Sequence, residues 1–162
     1  MNTLIMMIGI PGCGKSTYAK RLLEDHPDWE YVSRVLVRYQ YVTDQEHYFD
    51  HEHEVYKEFC NRIDMHLIND KTVIADATHL NQKSREKLLN TLTVIPDRII
   101  AIVFKTPFEE CLRRNRLREG ITRVPDVQMF KMRNSFKEPN LAIEKFDTVV
   151  KVNGVETYDK WM

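Results

Sequence analysis

Gly9-Ile10-Pro11-Gly12-Cys13-Gly14-Lys15-Ser16 follows the apolar run Leu4-Ile5-Met6-Met7-Ile8 and precedes Tyr18, Ala19, Leu22 and Leu23 at helical spacing. The octapeptide matches G-x-x-x-x-G-K-[ST], and its flanks supply the strand before and the helix after that this motif requires. Small residues let successive backbone N–H groups turn inward around phosphates. Lys15 adds a point charge for the β- and γ-phosphates, Ser16 a hydroxyl for magnesium, and the following helix its positive end. Gly9, Gly12, Cys13, Gly14, Lys15, Ser16 and Thr17 are therefore the candidate nucleotide-binding residues, with a purine nucleoside triphosphate as ligand. No Asn-Lys-x-Asp guanine-reading motif is present.

Outward from this loop, strands and helices alternate. Tyr31-Val32-Ser33 reads as a second strand, and Val55, Phe59, Ile63 and Leu67 place a helix over roughly 50–68. Thr72-Val73-Ile74-Ala75 is a strand ending at Asp76, and Asn81 is placed to cap a helix carrying Leu88, Leu89 and Leu92. Ile99 to Phe104 is the clearest strand. Pro107 fits the start of a helix to about residue 118, and Pro125 opens another with Met129, Met132 and Phe136 on one side. Thr148 to Val152 is a last strand, and Asn153-Gly154 a turn. This order predicts a three-layer α/β/α P-loop NTPase fold with a parallel sheet, and one domain over 1–162 with a lid at about 113–136.

Composition narrows the function. Hydrophobic residues make up 43% of the 162, enough for a core, and 24 Lys plus Arg balance 24 Asp plus Glu. A chain that coats nucleic acid is usually basic overall, so any such contact here is a local patch. No stretch approaches the ~20 apolar residues of a membrane span, and the N-terminus reads as a strand, not a signal peptide. Cys13, Cys60 and Cys111, an odd number far apart, fit reduced thiols in a cytoplasm.

Asp76, ending an apolar strand beside a phosphate loop, is placed to support magnesium with Ser16. Residues 111–123 carry Arg113, Arg114, Arg116, Arg118 and Arg123 against the single Glu119, which also precedes a helix-breaking glycine, Gly120. A helix–turn–helix flap delivering an arginine to a transferring phosphoryl group accounts for this better than a solvated helix end, because arginine suits planar phosphate recognition. The acid- and histidine-rich stretch from Asp44 to Glu58 has no closed ligand set and reads as a solvated helix start. Trp29 and Trp161 read as core or surface residues, and Tyr39 and Tyr41 lie near the candidate substrate site.

Ser33-Arg34-x-x-x-Arg38, Ala75-Asp76-Ala77-Thr78-His79-Leu80-Asn81, and Arg114 to Gly120 followed by Val124-Pro125 extend the loop motif across nearly the whole chain. In this combination the sequence resembles the kinase domain of phage and bacterial 5′-hydroxyl polynucleotide kinases. The resemblance implies an adenylate-kinase-like kinase with ATP as donor, Mg2+ as cofactor and the 5′ end of a single-stranded nucleic acid as acceptor. It also implies that Lys15, Arg118 and Asp76 are catalytic, that Arg34 and Arg38 bind substrate, and that Arg38 holds an acceptor phosphate. Arg116 and Arg123 are further lid candidates. The pattern departs at Val35, where the family has the Asp that takes the acceptor's proton. Val35-Leu36-Val37 also reads as a strand continuing where the family turns into a helix. Asp44, Asp76 and His79 are the substitutes that spacing offers. The alternatives are a small-molecule kinase, or a base-deficient nucleotide-binding module or weak ATPase acting through a partner.

Overall fold

The structure, a computed structural model, describes residues 1–153. Trp161 and the Gly154 half of the final turn lie outside the described residues. Five strands, β1 (Thr3–Ile8), β2 (Glu30–Ser33), β3 (Thr72–Asp76), β4 (Arg98–Phe104) and β5 (Thr148–Val152), form one parallel sheet in the order β2-β3-β1-β4-β5. Six α-helices connect them: α1 (Lys15–Asp25), α2 (Arg34–Arg38), α3 (Glu52–Ile68), α4 (Gln82–Thr91), α5 (Phe108–Arg116) and α6 (Asp126–Ser135).

The central strand shows why β1 is a continuous apolar run. Leu4, Met6 and Ile8 pack on one face with Phe59, Ile63 and Leu67 of α3 and Leu88 of α4. Ile5 and Met7 pack on the other with Tyr18 and Leu22 of α1, Cys111 of α5 and Met129 of α6. Side chains alternate across a strand, so burial on both faces requires apolar residues at every position. Because β1 lies between β3 and β4, its carboxyl end is where the strand order reverses, and a crevice opens there for a ligand.

Two side-chain caps fix where the helices after β3 and β2 begin. Asn81 caps α4 with a reciprocal capping box, its side chain accepting from Ser84 N while Ser84 Oγ accepts from Asn81 N. Ser33 caps α2, its Oγ accepting from Leu36 N at 3.2 Å. This corrects the expectation of a strand through Val35-Leu36-Val37, which is helical. The last β2 pair is Ser33 with Asp76, where β3 ends, so a longer strand has no ladder to join. The capped helix satisfies those amides instead.

Arg85 and Glu144, both nearly fully buried, form a bidentate pair at 2.7 and 3.1 Å. Arg85 also donates to the carbonyls of His79 and Lys137, tying α4 to the loop after β3 and to the segment after α6. Removing one partner strands the other's charge in the interior. Arg85→Ala is expected to lower unfolding stability by about 3–5 kcal/mol, read from urea melts; a loss under about 1 kcal/mol would mean the pair is dispensable.

Candidate functional site

A cavity of about 700 Å³ sits at the carboxyl end of the sheet, lined by the loop before α1, by β2 and α2, by Asp76-Ala77-Thr78, and by the segment between α5 and α6. The loop turns at Gly12 (φ 85°) and Gly14 (φ 102°), a left-handed conformation that glycine adopts without steric cost. A Cβ on Gly12 would also lie 2.5 Å from the backbone oxygen of Cys111. Gly14 is the N-cap of α1, so the free amides of that helix open toward the cavity. Lys15 is folded across the loop, its Nζ donating to the carbonyls of Gly9 (2.8 Å) and Ile10 (3.2 Å). Gly12, Gly14, Lys15, Ser16 and Thr17 line the cavity, whereas Gly9 and Cys13 are buried outside its lining.

Ser16 Oγ donates to Asp76 Oδ2 at 3.1 Å, and the Tyr31 hydroxyl donates to the same oxygen. Burial, then the charge of Asp76, raises the Tyr31 pKa, so the phenol stays protonated. A serine hydroxyl and a carboxylate in contact beside a phosphate loop are hard oxygen donors of the kind Mg2+ takes, and the pair fits that ion. Tyr31 has no counterpart in the sequence motifs; it reaches Asp76 only because β2 and β3 are neighbours.

The opposite wall comes from α2 and the start of α3. Arg38 donates to Glu52 through Nε (2.8 Å) and Nη2 (2.6 Å), and to the Tyr48 hydroxyl through Nη1 (3.1 Å). Arg34 donates to Glu52 Oε1 at 3.2 Å. The Arg38 guanidinium stacks over Tyr48 and Phe49, with 4.6 and 5.4 Å to the ring centroids. Burial opposes the Glu52 charge, yet the Arg38 and Arg34 contacts outweigh it and hold the carboxyl below its usual range. Val35, 37% exposed, faces the same cavity and offers it only methyl groups. Tyr39 lines the cavity; Tyr41 is not among its lining residues.

The third wall is the arginine segment. α5 ends at Arg116, a one-turn 3-10 helix covers Gly120–Thr122, and α6 follows. Buried Asn115 staples the turn, donating to Val124 O (2.7 Å) and accepting from Val124 N (3.0 Å). Arg113 and Arg114 pair with Glu110, and Arg116 and Arg123 with Asp126. Arg118 has no ion pair among the described residues, and it lines the cavity with Arg114, which also donates to Gly12 O at 3.2 Å. Arg116 and Arg123 are not among the lining residues. No motif singles out Glu52 or Tyr48, which meet Arg38 from 14 and 10 residues away along the chain, and the arginine motif that contains Arg114 does not show its reach of 102 residues to Gly12 O.

The other spacing-based base candidates fall away from the cavity. Asp44 is exposed and paired with His47 at 2.8 Å, in an exposed group with Glu46. His79 is buried in a left-handed conformation (φ 45°), Nδ1–H donating to Met7 O at 2.7 Å and Nε2 without a partner among the described residues. It is not among the cavity's lining residues.

A family described as AAA domain matches residues 4–139, from β1 past the end of α6. A chain of the Pnkp1/Rnl/Hen1 complex is similar at 26% identity and a TM-score of 0.63, over 90% of this chain and 43% of that one. A second structure, described as the Pnkp1/Rnl/Hen1 RNA repair complex, gives 25% identity and 0.67 over 83% and 43%. A fungal RNA kinase gives 18% identity and 0.67 over 94% and 38%, a likeness that shows the fold alone. The chain thus spans less than half the length of these relatives. Sheet order, phosphate loop and family match together make this an α/β P-loop NTPase fold of kinase-like type.

His79 is expected to make stability pH-dependent. Burial, and then the positive charges of Arg34, Lys15 and Arg85, hold its pKa down at about 4 against an ordinary 6.5, despite the bond to Met7 O. Between those values the unfolded chain binds the proton and the folded chain does not, so the contribution of His79 to stability is complete above about pH 6.5 and is lost as pH drops toward 4. The melting temperature is expected to fall across that window, and His79→Gln to flatten the dependence; an unchanged slope in the variant would rule His79 out as its source.

Proposed function

The chain belongs to the AAA domain family, and from that premise we propose that it is an ATP- and magnesium-dependent phosphotransferase moving the γ-phosphate to a hydroxyl acceptor. The observation that carries this is the convergence on one cavity of the phosphate loop, the Ser16–Asp76 pair and Arg118, which has no ion pair among the described residues. A bare nucleotide-binding module needs the first of these but not an uncommitted arginine on a flap facing it.

Each group has a task in this reading. Lys15 exchanges the carbonyls of Gly9 and Ile10 for β- and γ-phosphate oxygens. Bound magnesium, held by Ser16 and supported by Asp76, would neutralise charge on the phosphates. Arg118 meets the charge that develops on the transferring group, and Arg114 braces the flap against the loop. The acceptor enters along α2, where Arg34, Arg38, Tyr39, Tyr48 and Phe49 form its wall.

The acceptor in this proposal is the 5′-hydroxyl of a polynucleotide. The motif resemblance and the similarity to a chain of an RNA repair complex support it. Glu52 favours a second reading, a small hydroxylated acceptor, because it neutralises the arginines that a backbone phosphate would use. Salt separates the two: transfer to a polynucleotide falls steeply with ionic strength and transfer to a small acceptor does not. Cytoplasmic placement belongs to the same proposal, supported by three buried free thiols; among the described residues no helix is long and apolar enough to cross a membrane.

Lys15→Ala is expected to fold and to lose at least ~10²-fold in transfer from labelled ATP, the scale of removing a preorganised charge. Turnover equal to wild type would sink the phosphotransferase reading. For Arg118→Ala, kcat is expected to fall ~10²-fold or more with nucleotide Kd little changed, as for an interaction made in the transition state. A variant that loses affinity and keeps kcat would make Arg118 a ground-state contact.

A further inference from the structure

We propose that Glu52 takes the proton from the acceptor hydroxyl, an assignment that rests on the phosphotransferase reading above. A hydroxyl that becomes a phosphate ester must give up its proton, and two carboxylates line the described cavity, Asp76 and Glu52. Asp76 is committed to Ser16 and Tyr31 on the metal side. Helix α2 offers the cavity no acid, since Val35 and Leu36 stand where it faces the space. His79 is sealed against Met7 O and Phe59. Glu52 remains, on the acceptor wall, with its side chain 28% exposed.

Its geometry suits the task. Oε1 accepts from Arg34 Nη2 and Arg38 Nη2, while among the described residues Oε2 accepts only from Arg38 Nε. A carboxylate has about four lone-pair sites, so one on Oε2 remains for a hydroxyl. The two guanidiniums fix the carboxylate in place and keep it ionised. They also make it a weak base, which the reaction tolerates: the transition state is loose, and the hydroxyl becomes strongly acidic only as its oxygen bonds to phosphorus. The acceptor oxygen forms the new bond to the γ-phosphorus. The bond from that phosphorus to the bridging oxygen breaks, its electron pair leaving on ADP. The acceptor proton moves to Glu52 Oε2 and then to solvent, so ATP and an alcohol give ADP, a phosphate monoester and a proton.

The alternative is that Glu52 only neutralises Arg34 and Arg38. The two roles separate in steady-state transfer from ATP with magnesium, to a 5′-hydroxyl oligonucleotide and to a panel of small polyols, with melting temperature recorded for every variant. Glu52→Gln is expected to lower kcat by ~10²-fold or more with acceptor KM held, and Val35→Asp added to it to recover ~10-fold or more, since a carboxylate there faces the same cavity. Glu52→Asp keeps the charge beside both arginines but withdraws it by one methylene, so kcat falls here too if proton transfer is the role. A folded Glu52→Gln or Glu52→Asp protein with wild-type kcat, or a loss confined to acceptor KM, overturns the assignment and leaves the kinase reading standing. Wild-type protein that binds ATP but transfers to no hydroxyl removes both.

Discussion

The site depends on a backbone-to-backbone contact between Gly12 and Cys111. No side chain fits there: a Cβ on Gly12 would stand 2.5 Å from the Cys111 oxygen, and a φ of 85° is costly for anything but glycine. The contact presses the phosphate loop against α5, and two side chains reinforce it, Thr106 Oγ1 donating to Cys13 O at 2.8 Å and Arg114 to Gly12 O. The base of the arginine flap is therefore indexed to the loop that receives the phosphates. Its tip is different. Gly120 has nothing within 4 Å of where a Cβ would be, and Arg118 near it has no ion pair among the described residues. A flap anchored at its root and open at its tip can bring one arginine onto a bound nucleotide without disturbing the loop beneath.

The parts of this arrangement that were legible in the sequence are those written in consecutive residues. The phosphate loop, the capping asparagine before α4 and the prolines before α5 and α6 each carry their physics within a few positions. The β1 run announced a strand buried on both faces, though which residue faces which helices follows only from the packing. Val35-Leu36-Val37 misled because β-branched residues favour a strand where the neighbours allow one. Nothing local says that β3 stops opposite Ser33, and that stop, with the serine cap, decides for helix. In the arginine run all five side chains look alike, and Glu110 and Asp126 tell them apart by engaging four.

Charge follows the same division. The whole chain is formally neutral, yet Lys15, Lys20, Arg34, Arg38, Arg114 and Arg118 line the cavity against Glu52 and Asp76, a local net of +4. A cleft of one sign raises the local concentration of an oppositely charged ligand whatever the net charge of the molecule. That excess is not spread evenly. On the acceptor wall Arg34 and Arg38 share one carboxylate, and the aromatic rings of Tyr48 and Phe49 cover the Arg38 plane. On the loop and flap side Lys15 donates to two carbonyls and a thiol, and among the described residues Arg118 has no ion pair. In the proposed reaction a triphosphate would therefore meet Lys15 and Arg118 without a carboxylate partner among the described residues, whereas an acceptor would meet a wall already balanced and would compete with Glu52 for either arginine. In that proposal the asymmetry would set donor apart from acceptor within one continuous cavity, through the placement of Glu52 at the first turn of α3.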